Sequence, residues 1–201
     1  MEGKQADVVG RRRQVALAGF QGNEVAAREG IADPAGDVRA TALGALLRMG
    51  QLTASDVEDA LADPEPVVRR RACEVSATIQ VPGLTTALAD ADPLVVEAAC
   101  FALGERGEGG DPDELALPAL AQVATTHSDP LCREAAIAAL GAIGDQAGLS
   151  AILAGLDDKP AVRRRAVIAL APFDGPVVSD ALAKARTDRD WQVRQAAEDL
   201  S

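Results

Sequence analysis

The sequence predicts an all-α protein, a solenoid of about six stacked helix pairs followed by a terminal helix. Three observations predict this fold. One pattern of residues, with an Arg near its start, recurs along the whole chain. A turn rich in Asp and Pro precedes nearly every copy, and the 201 residues include only three Phe, one Trp and no Tyr. A compact two-layer domain of this length would need more large rings to fill its core, whereas thin layers of closely packed helices need few.

The copies of the pattern, called rows here, align on a residue that stands three positions before a small core residue. The row at Val38 reads VRATALGALLRMG, and the row at Val162 reads VRRRAVIALAPF. Because the rows extend over the whole chain, we interpret residues 1–201 as a single repeat domain. The anchor residues are Arg13, Arg39, Arg69, Val96, Arg133, Arg163 and Arg194.

The turns before the rows are predicted to begin helices. In turns such as ADPEP and HSDP, the Asp carboxylate can accept from free amides of the first helical turn, and Pro fits the first helical position. After each row, a short stop leads to a second apolar segment at helical spacing, such as LTASDVEDALA or VPGLTTALA. Each repeat should therefore contain a row helix, which carries the row, and a second helix. On a helical wheel, Val68, Ala72 and Val75 share one narrow apolar stripe that only neighbouring repeats can bury.

The D-P…V-R-x-x-A-x-x-A-L-G pattern of the rows resembles HEAT repeats, particularly the short bacterial repeats also found in phycobilisome lyases. The resemblance implies a right-handed superhelix with row helices outside and second helices lining the concave face. It also implies a ladder in which an Arg of each row and an Asp of the preceding turn align adjacent repeats. Val96 should interrupt the ladder. The ladder candidates are Arg39, Arg69, Arg133, Arg163, Arg194, Asp33, Asp63, Asp92, Asp129, Asp158 and Asp188.

Residue patterns of common catalytic, cofactor and metal sites are missing, so we expect neither an enzyme nor a bound cofactor or metal. His127 is the single histidine, without an HExxH motif or a Cys/His cluster. No phosphate-binding glycine motif and no GxSxG motif occurs. Cys73, Cys100 and Cys132 suit small buried positions within the rows.

The charge balance favours a protein partner. A net charge of −11 opposes general attraction to nucleic acid or to an anionic membrane. We expect a cytoplasmic protein, because no apolar run reaches the length of a membrane span and three cysteines are too few for a disulfide framework. The composition, rich in Arg and poor in Lys, favours a bacterial source. We expect a non-enzymatic scaffold that binds another protein, rather than a small molecule, through the concave face. The partner-binding candidates on the second helices are Arg28, Glu29, Glu58, Asp59, Thr85 and Thr86.

The alternative is a nucleic-acid-binding protein that uses the Arg triplets at 11–13, 69–71 and 163–165. Its basic stripe would consist of Arg70, Arg71, Arg164 and Arg165. The acidic junction from Gly104 to Pro118 could be either a binding loop or a tolerated insertion. Trp191 could anchor an interface or cover the end of the stack.

Overall fold

The computed structural model of the chain describes residues 2–107 and 115–200, in which every regular element is helical. The all-α prediction is therefore confirmed. Three short 3-10 helices lie at Leu84–Ala89, Gln146–Gly148 and Gly155–Asp157. The α-helices are α1 (Glu2–Gln21), α2 (Glu24–Ile31), α3 (Gly36–Arg48), α4 (Ala54–Leu61), α5 (Pro66–Ser76), α6 (Pro93–Gly107), α7 (Ala116–Thr126), α8 (Pro130–Ile143), α9 (Leu149–Ala154), α10 (Pro160–Ala169), α11 (Pro176–Ala185) and α12 (Trp191–Asp199).

These helices form the expected pairs, each a row helix followed by a second helix, and α12 is the terminal helix. The row helices are α1, α3, α5, α6, α8, α10 and α12, and α2, α4, α7, α9 and α11 are second helices. The third pair differs from the prediction, because its second element is the 3-10 helix Leu84–Ala89. Pro82 and Gly83, whose φ is +80°, precede it and leave a segment too short for several α-helical turns.

Turn residues begin and end the helices in the predicted manner. The Asp129 carboxylate accepts a hydrogen bond from the Leu131 amide at 2.9 Å, and Pro130 occupies the first turn of α8. Thr53 and Asp56 form a reciprocal capping box at the start of α4. Gly144 ends α8 with a φ of +68°, a conformation that a residue with a Cβ adopts only at a cost.

The chain divides into two compact units, unit 1 (Met1–Ala87) and unit 2 (Leu88–Ser201). In unit 1, α3 packs against α1 on one side and α5 on the other. In unit 2, α8 packs between α6 and α10, and α10 also contacts α12. That residues 1–201 form one repeat domain stays a prediction.

Small side chains allow neighbouring row helices to approach closely. A Cβ added at Gly19 would lie 2.9 Å from Ala45, and one added at Gly141 would lie 2.7 Å from the Ala169 Cα atom. Leu, Ile, Val and Ala fill most of the core, and Phe173 is the one aromatic residue that is buried. The composition therefore reflects thin, closely packed helical layers, as the sequence predicts.

The junction predicted from Gly104 to Pro118 is partly helical. Gly104 and Gly107 belong to α6, and Pro118 belongs to α7. The remainder, residues 108–114, lies outside the described residues, so its role as a binding loop or an insertion stays open.

Candidate functional site

Arg–Asp ion pairs connect row helices to the turn of the following repeat. Nε and Nη2 of Arg39 donate to the Asp63 carboxylate at 2.8 and 2.7 Å, while Nη1 donates to the Asp33 backbone carbonyl at 2.8 Å. Arg133 with Asp158 makes the same two-point contact. Each such Arg thus contacts its own turn through backbone and the next turn through a carboxylate. The expectation that the carboxylate belongs to the preceding turn is wrong, because that Asp already serves the row helix before it.

Arg163 and Asp188 form the most enclosed of these pairs, with side chains 6% and 16% exposed. The two nitrogens of Arg163 donate at 2.9 and 2.7 Å. A two-point contact of this kind fixes both the distance and the orientation of the two groups.

In the first row, Arg11 takes the ladder position that we assigned to Arg13. Arg11 donates to the two Asp33 oxygens at 2.7 and 3.1 Å, whereas Arg13 is exposed. The difference follows from the core, because Val15 and Ala18 are the buried residues of α1 that match Leu43 and Leu46 of α3. The row therefore begins two residues earlier than the sequence pattern indicates.

Asp92 and Asp129 cap helices. They do not occupy the turn position from which Asp33 and Asp63 accept hydrogen bonds from a ladder Arg. The Asp92 and Asp129 carboxylates accept from the amides of Leu94 and Leu131, each at 2.9 Å. That turn position lies two residues before Asp92, at Asp90. The Asp90 carboxylate accepts from the Asp92 amide at 2.8 Å, as the Asp63 carboxylate does from the Glu65 amide.

In the turn of the fifth repeat, His127 occupies the position that Asp63 and Asp90 occupy in their turns. Its Nδ1 accepts from the Asp129 amide at 3.1 Å, and its carbonyl accepts from Arg133 Nη1 at 2.7 Å, as the Asp33 carbonyl does from Arg39. On α6, the row helix of the fourth repeat, the fully buried Val96 stands where the other rows have the ladder Arg. Both members of the ion pair are thus replaced together, which is where we expect the ladder to be interrupted.

The remaining ladder candidates make backbone contacts. Arg69 donates to the carbonyls of Asp63 and Pro64 at 2.8 and 3.0 Å. Arg194 donates to the carbonyls of Asp188 and Arg189 at 2.8 and 3.3 Å, and no further turn follows it in the described residues.

The pairs stabilise the ionised carboxylates. Hydrogen bonds from Arg11, Arg133 and Arg163 hold the pKa values of their Asp partners below the ordinary range. At Asp63, burial opposes ionisation, but hydrogen bonds from Arg39 and the Glu65 amide outweigh it and lower the pKa.

The second-helix candidates are spread along the surface of unit 1. Arg28 is held by Asp56 at 2.6 Å and Glu24 at 3.4 Å, while Glu29 and Glu58 are exposed. Asp59 lines a small cavity of about 110 Å³ that none of the other five candidates lines. Thr85 and Thr86 lie in the 3-10 helix, and the Thr86 hydroxyl donates to the Gly83 carbonyl.

A larger cleft, cavity I, opens on the row helices of unit 1. Its volume is about 470 Å³, within the range of ligand pockets. Phe20 is 70% exposed, and the guanidinium of Arg48 lies 4.1 Å from the centre of its ring. Cavity I is lined by Arg12, Ala16, Phe20, Thr41, Gly44, Ala45, Leu47, Arg48, Arg71 and Val75.

Unit 2 has a corresponding cleft, cavity II, of about 310 Å³ on α6, α8 and α10. Counted from the ladder position, Glu97 corresponds to Arg12 and Arg165 to Arg71. Arg165 Nε is buried without a hydrogen-bond partner and lies 3.6 Å from Glu134. Phe101 is 56% exposed. Cavity II is lined by Glu97, Phe101, Gly104, Glu105, Ala135, Ala138, Ala139, Ala142 and Arg165.

Members of the Arg triplets make different contacts, and the basic stripe of Arg70, Arg71, Arg164 and Arg165 stays a prediction. The first member takes the ladder position, as Arg11 and Arg163 do. Arg71 and Arg165 line cavities I and II. Arg70 pairs with Glu74 at 2.9 Å, and Arg164 is exposed.

Sequence reasoning missed cavities I and II. Neither cavity has a sequence motif, because its lining residues come from adjacent row helices. Counted on each helix from the ladder Arg, or from Val96 on α6, these residues stand one, two, five, six, eight or nine positions later. Exposed Phe20 and Phe101 within otherwise Ala-rich rows were the available signal.

Metal clusters and membrane-spanning helices are both absent from the described residues. Within them, no group of three or more His, Cys, Asp or Glu side chains is placed to hold a metal ion, and no helix is long and apolar enough to cross a membrane. The three cysteines are buried thiols, and burial raises the pKa of Cys132 to about 11. Trp191 begins α12 and is 64% exposed.

Comparisons with known proteins agree with this architecture. The YibA protein of Escherichia coli is similar over 94% of this chain and 72% of its own, with 19% identity and a TM-score of 0.66. A designed armadillo repeat protein in complex with the peptide (KR)4 is similar over 95% of this chain and 96% of its own, with 18% identity and a TM-score of 0.63. These likenesses show an armadillo-type or HEAT-type repeat fold.

No curated protein sequence matches the chain significantly. The family model described as HEAT repeats matches residues 81–159 and 117–200. Together these matches span more than half of the sequence, and the chain belongs to the HEAT-repeat family.

Proposed function

We propose that this protein is a non-enzymatic interaction scaffold that binds a segment of a partner protein on its row helices. The observation that carries the proposal is the correspondence of cavities I and II. Each is an open cleft with a largely exposed Phe at its edge and small residues along its floor. Exposed aromatic side chains beside a cleft are typical of binding surfaces.

The proposal changes the face that the sequence indicates for binding. The second-helix candidates include Arg28, which is already held by Asp56, and lie beside only a small cavity at Asp59. Cavity I on the row helices is larger, and its lining includes the small residues Ala16, Gly44 and Ala45. The peptide complex of the designed armadillo repeat protein supports the idea that such a fold can hold a peptide.

A selection experiment tests the proposal. The whole protein is immobilised and used to select from a phage library of random short peptides, and the enriched peptides are synthesised with a fluorophore. Their binding is measured by fluorescence anisotropy with the wild type and with Gly44→Trp. Nothing lies within 4 Å of a Cβ added at Gly44, so the indole should enter cavity I without disturbing the core.

Gly10→Trp is the matched control, because a Cβ there also meets open space but Gly10 lines neither cavity. We expect peptides that bind the wild type and Gly10→Trp equally and bind Gly44→Trp at least about tenfold more weakly. Failure to enrich peptides, or binding that Gly44→Trp leaves intact, would contradict the proposal.

A further inference from the structure

We infer that cavity I binds an acidic protein segment that carries an apolar side chain. This inference rests on the proposed function and specifies the chemistry of the partner. Arg12, Arg48 and Arg71 line the cavity, and no carboxylate is among its lining residues. A chain of net charge −11 thus concentrates three positive groups around one apolar cleft.

Two of the three guanidinium groups are available to a ligand. Within the described residues, neither Arg12 nor Arg48 forms an ion pair or a side-chain hydrogen bond, in contrast to the ladder residue Arg11 beside them. Arg71 is paired with Glu74 at 2.7 Å, is 44% exposed, and lines a neighbouring cleft together with Arg12. A carboxylate that reaches either Arg12 or Arg48 would therefore gain charge-assisted hydrogen bonds without displacing an existing ion-pair partner.

The contact between Arg48 and Phe20 orients the site. A guanidinium that stacks on a ring keeps its N–H groups at its edge free to donate. The same stacking leaves most of the Phe20 ring exposed next to Ala16 and Gly44. An apolar side chain of the ligand can cover that ring while its neighbouring carboxylates reach the two Arg side chains.

The extent of positive charge favours a short acidic segment over nucleic acid. Next to cavity I, Asp37 and Glu74 line a second cleft of about 200 Å³ together with Arg12 and Arg70. An extended polyanion would meet these carboxylates, and Phe20 is the one aromatic residue available for stacking a base in cavity I. A protein segment needs only a few carboxylates and one apolar residue.

The test uses the peptides enriched by selection on the wild-type protein. Their mean net charge is compared with that of the starting library, and each is remade with Asn and Gln in place of Asp and Glu. Affinities are measured for the wild type, Arg12→Glu and Arg48→Glu, with Arg13→Glu as the matched control. Arg13 is an exposed neighbour on α1 that does not line cavity I, and circular dichroism verifies that each variant is folded.

We expect acidic peptides whose amide versions bind at least about tenfold more weakly, the equivalent of one charge-assisted hydrogen bond. Arg12→Glu and Arg48→Glu should each weaken binding of the acidic peptides by about tenfold or more, and Arg13→Glu by less than about twofold. A single-stranded oligonucleotide should not displace the peptide at equal concentration.

The inference is overturned if the enriched peptides are neutral or basic, if Arg12→Glu binds them as the wild type does, or if the oligonucleotide displaces them. If neutral or basic peptides bind the wild type but bind Gly44→Trp at least about tenfold more weakly, the proposed function stands and only the acidic specificity fails. If no peptide is enriched at all, the proposed function itself fails.

Discussion

Cavities I and II occupy the same positions of the repeat but differ in charge and in packing. Cavity I contains Arg12 where cavity II contains Glu97, and it is the larger, about 470 against 310 Å³. Between α8 and α10, Gly141 meets Ala169, whereas the corresponding residues of α3 and α5 are Leu47 and Val75. Because Leu and Val need more room than Gly and Ala, we expect a wider spacing of the row helices beside cavity I.

The comparison teaches that scaffold and surface are specified by different residues of one row. The ladder position and the buried positions set where each helix lies, and Arg39 with Leu43 and Leu46 in unit 1 matches Arg133 with Ile137 and Leu140 in unit 2. The position one residue after the ladder Arg, or after Val96 on α6, lines the cleft and is exposed, and it changes from Arg12 in cavity I to Glu97 in cavity II. A repeat protein can thereby present a different chemistry at each equivalent site.

The largest expected effect is a loss of stability when an Arg–Asp pair is broken, because these pairs hold the row helices around both cavities. Arg163→Ala should lower the free energy of unfolding by about 3 kcal/mol, because it leaves the largely enclosed Asp188 carboxylate without its partner. Arg39→Ala, which removes the same contact in unit 1, should have a similar effect. Urea denaturation gives both values.

Arg164→Ala is the matched control for the ladder, since Arg164 is the exposed neighbour of Arg163. It should change the free energy of unfolding by less than about 0.5 kcal/mol. Equal losses for Arg163→Ala and Arg164→Ala would show that the ladder contributes no special stability.

A smaller effect should separate the packing of the two cavities. Gly141→Ala should destabilise the protein by about 2 kcal/mol, because the new Cβ would lie 2.6 Å from the Ala169 Cβ atom. Gly44→Ala, in open space within a helix beside cavity I, should instead stabilise by about 0.5–1 kcal/mol. Thermal and urea denaturation of the two variants measure the difference, and effects of the same sign would contradict the account of helix spacing.

The smallest effect is a pH dependence that both units share. Asp33, Asp63, Asp158 and Asp188 have folded pKa values below the ordinary value of about 4. Their stabilisation should be complete above the unfolded pKa and should be lost as the pH falls through the folded values. Asp63→Asn and Asp188→Asn should each reduce the loss of stability on acidification, as measured by urea denaturation at a series of pH values. An unchanged pH profile in both variants would contradict the role of the ion pairs.

The repeats, the helices and most ladder residues could be predicted from the sequence because each leaves a periodic signal. The row pattern locates Arg39, Arg133 and Arg163 correctly, since buried residues at fixed spacing surround them. It places the first anchor at Arg13 because the small residue Ala16 stands three positions after Arg13, whereas Gln14 stands three positions after Arg11. The pairing of each Arg with the following turn depends on how repeats stack, which local sequence does not contain.

The binding face could not be predicted for a similar reason. Each cavity brings together three row helices that are distant in sequence, as Arg12, Arg48 and Arg71 illustrate. The sequence favours Glu58 and Asp59 because they are charged neighbours on a second helix. Both are exposed, but the cavity that Asp59 lines is small. Charge and periodicity identify surfaces, but a cavity depends on tertiary packing.

The central claim is that partners bind the row helices of unit 1 and not its second helices. The most direct measurement uses an enriched peptide with a nitroxide label and follows the amide signals of the isotope-labelled protein by NMR. We predict that bound peptide broadens the signals of Ala16 and Gly44 and leaves those of Glu58 and Thr86 sharp. Broadening at Glu58 and Thr86, with Ala16 and Gly44 unaffected, would contradict the account and return the binding site to the second helices.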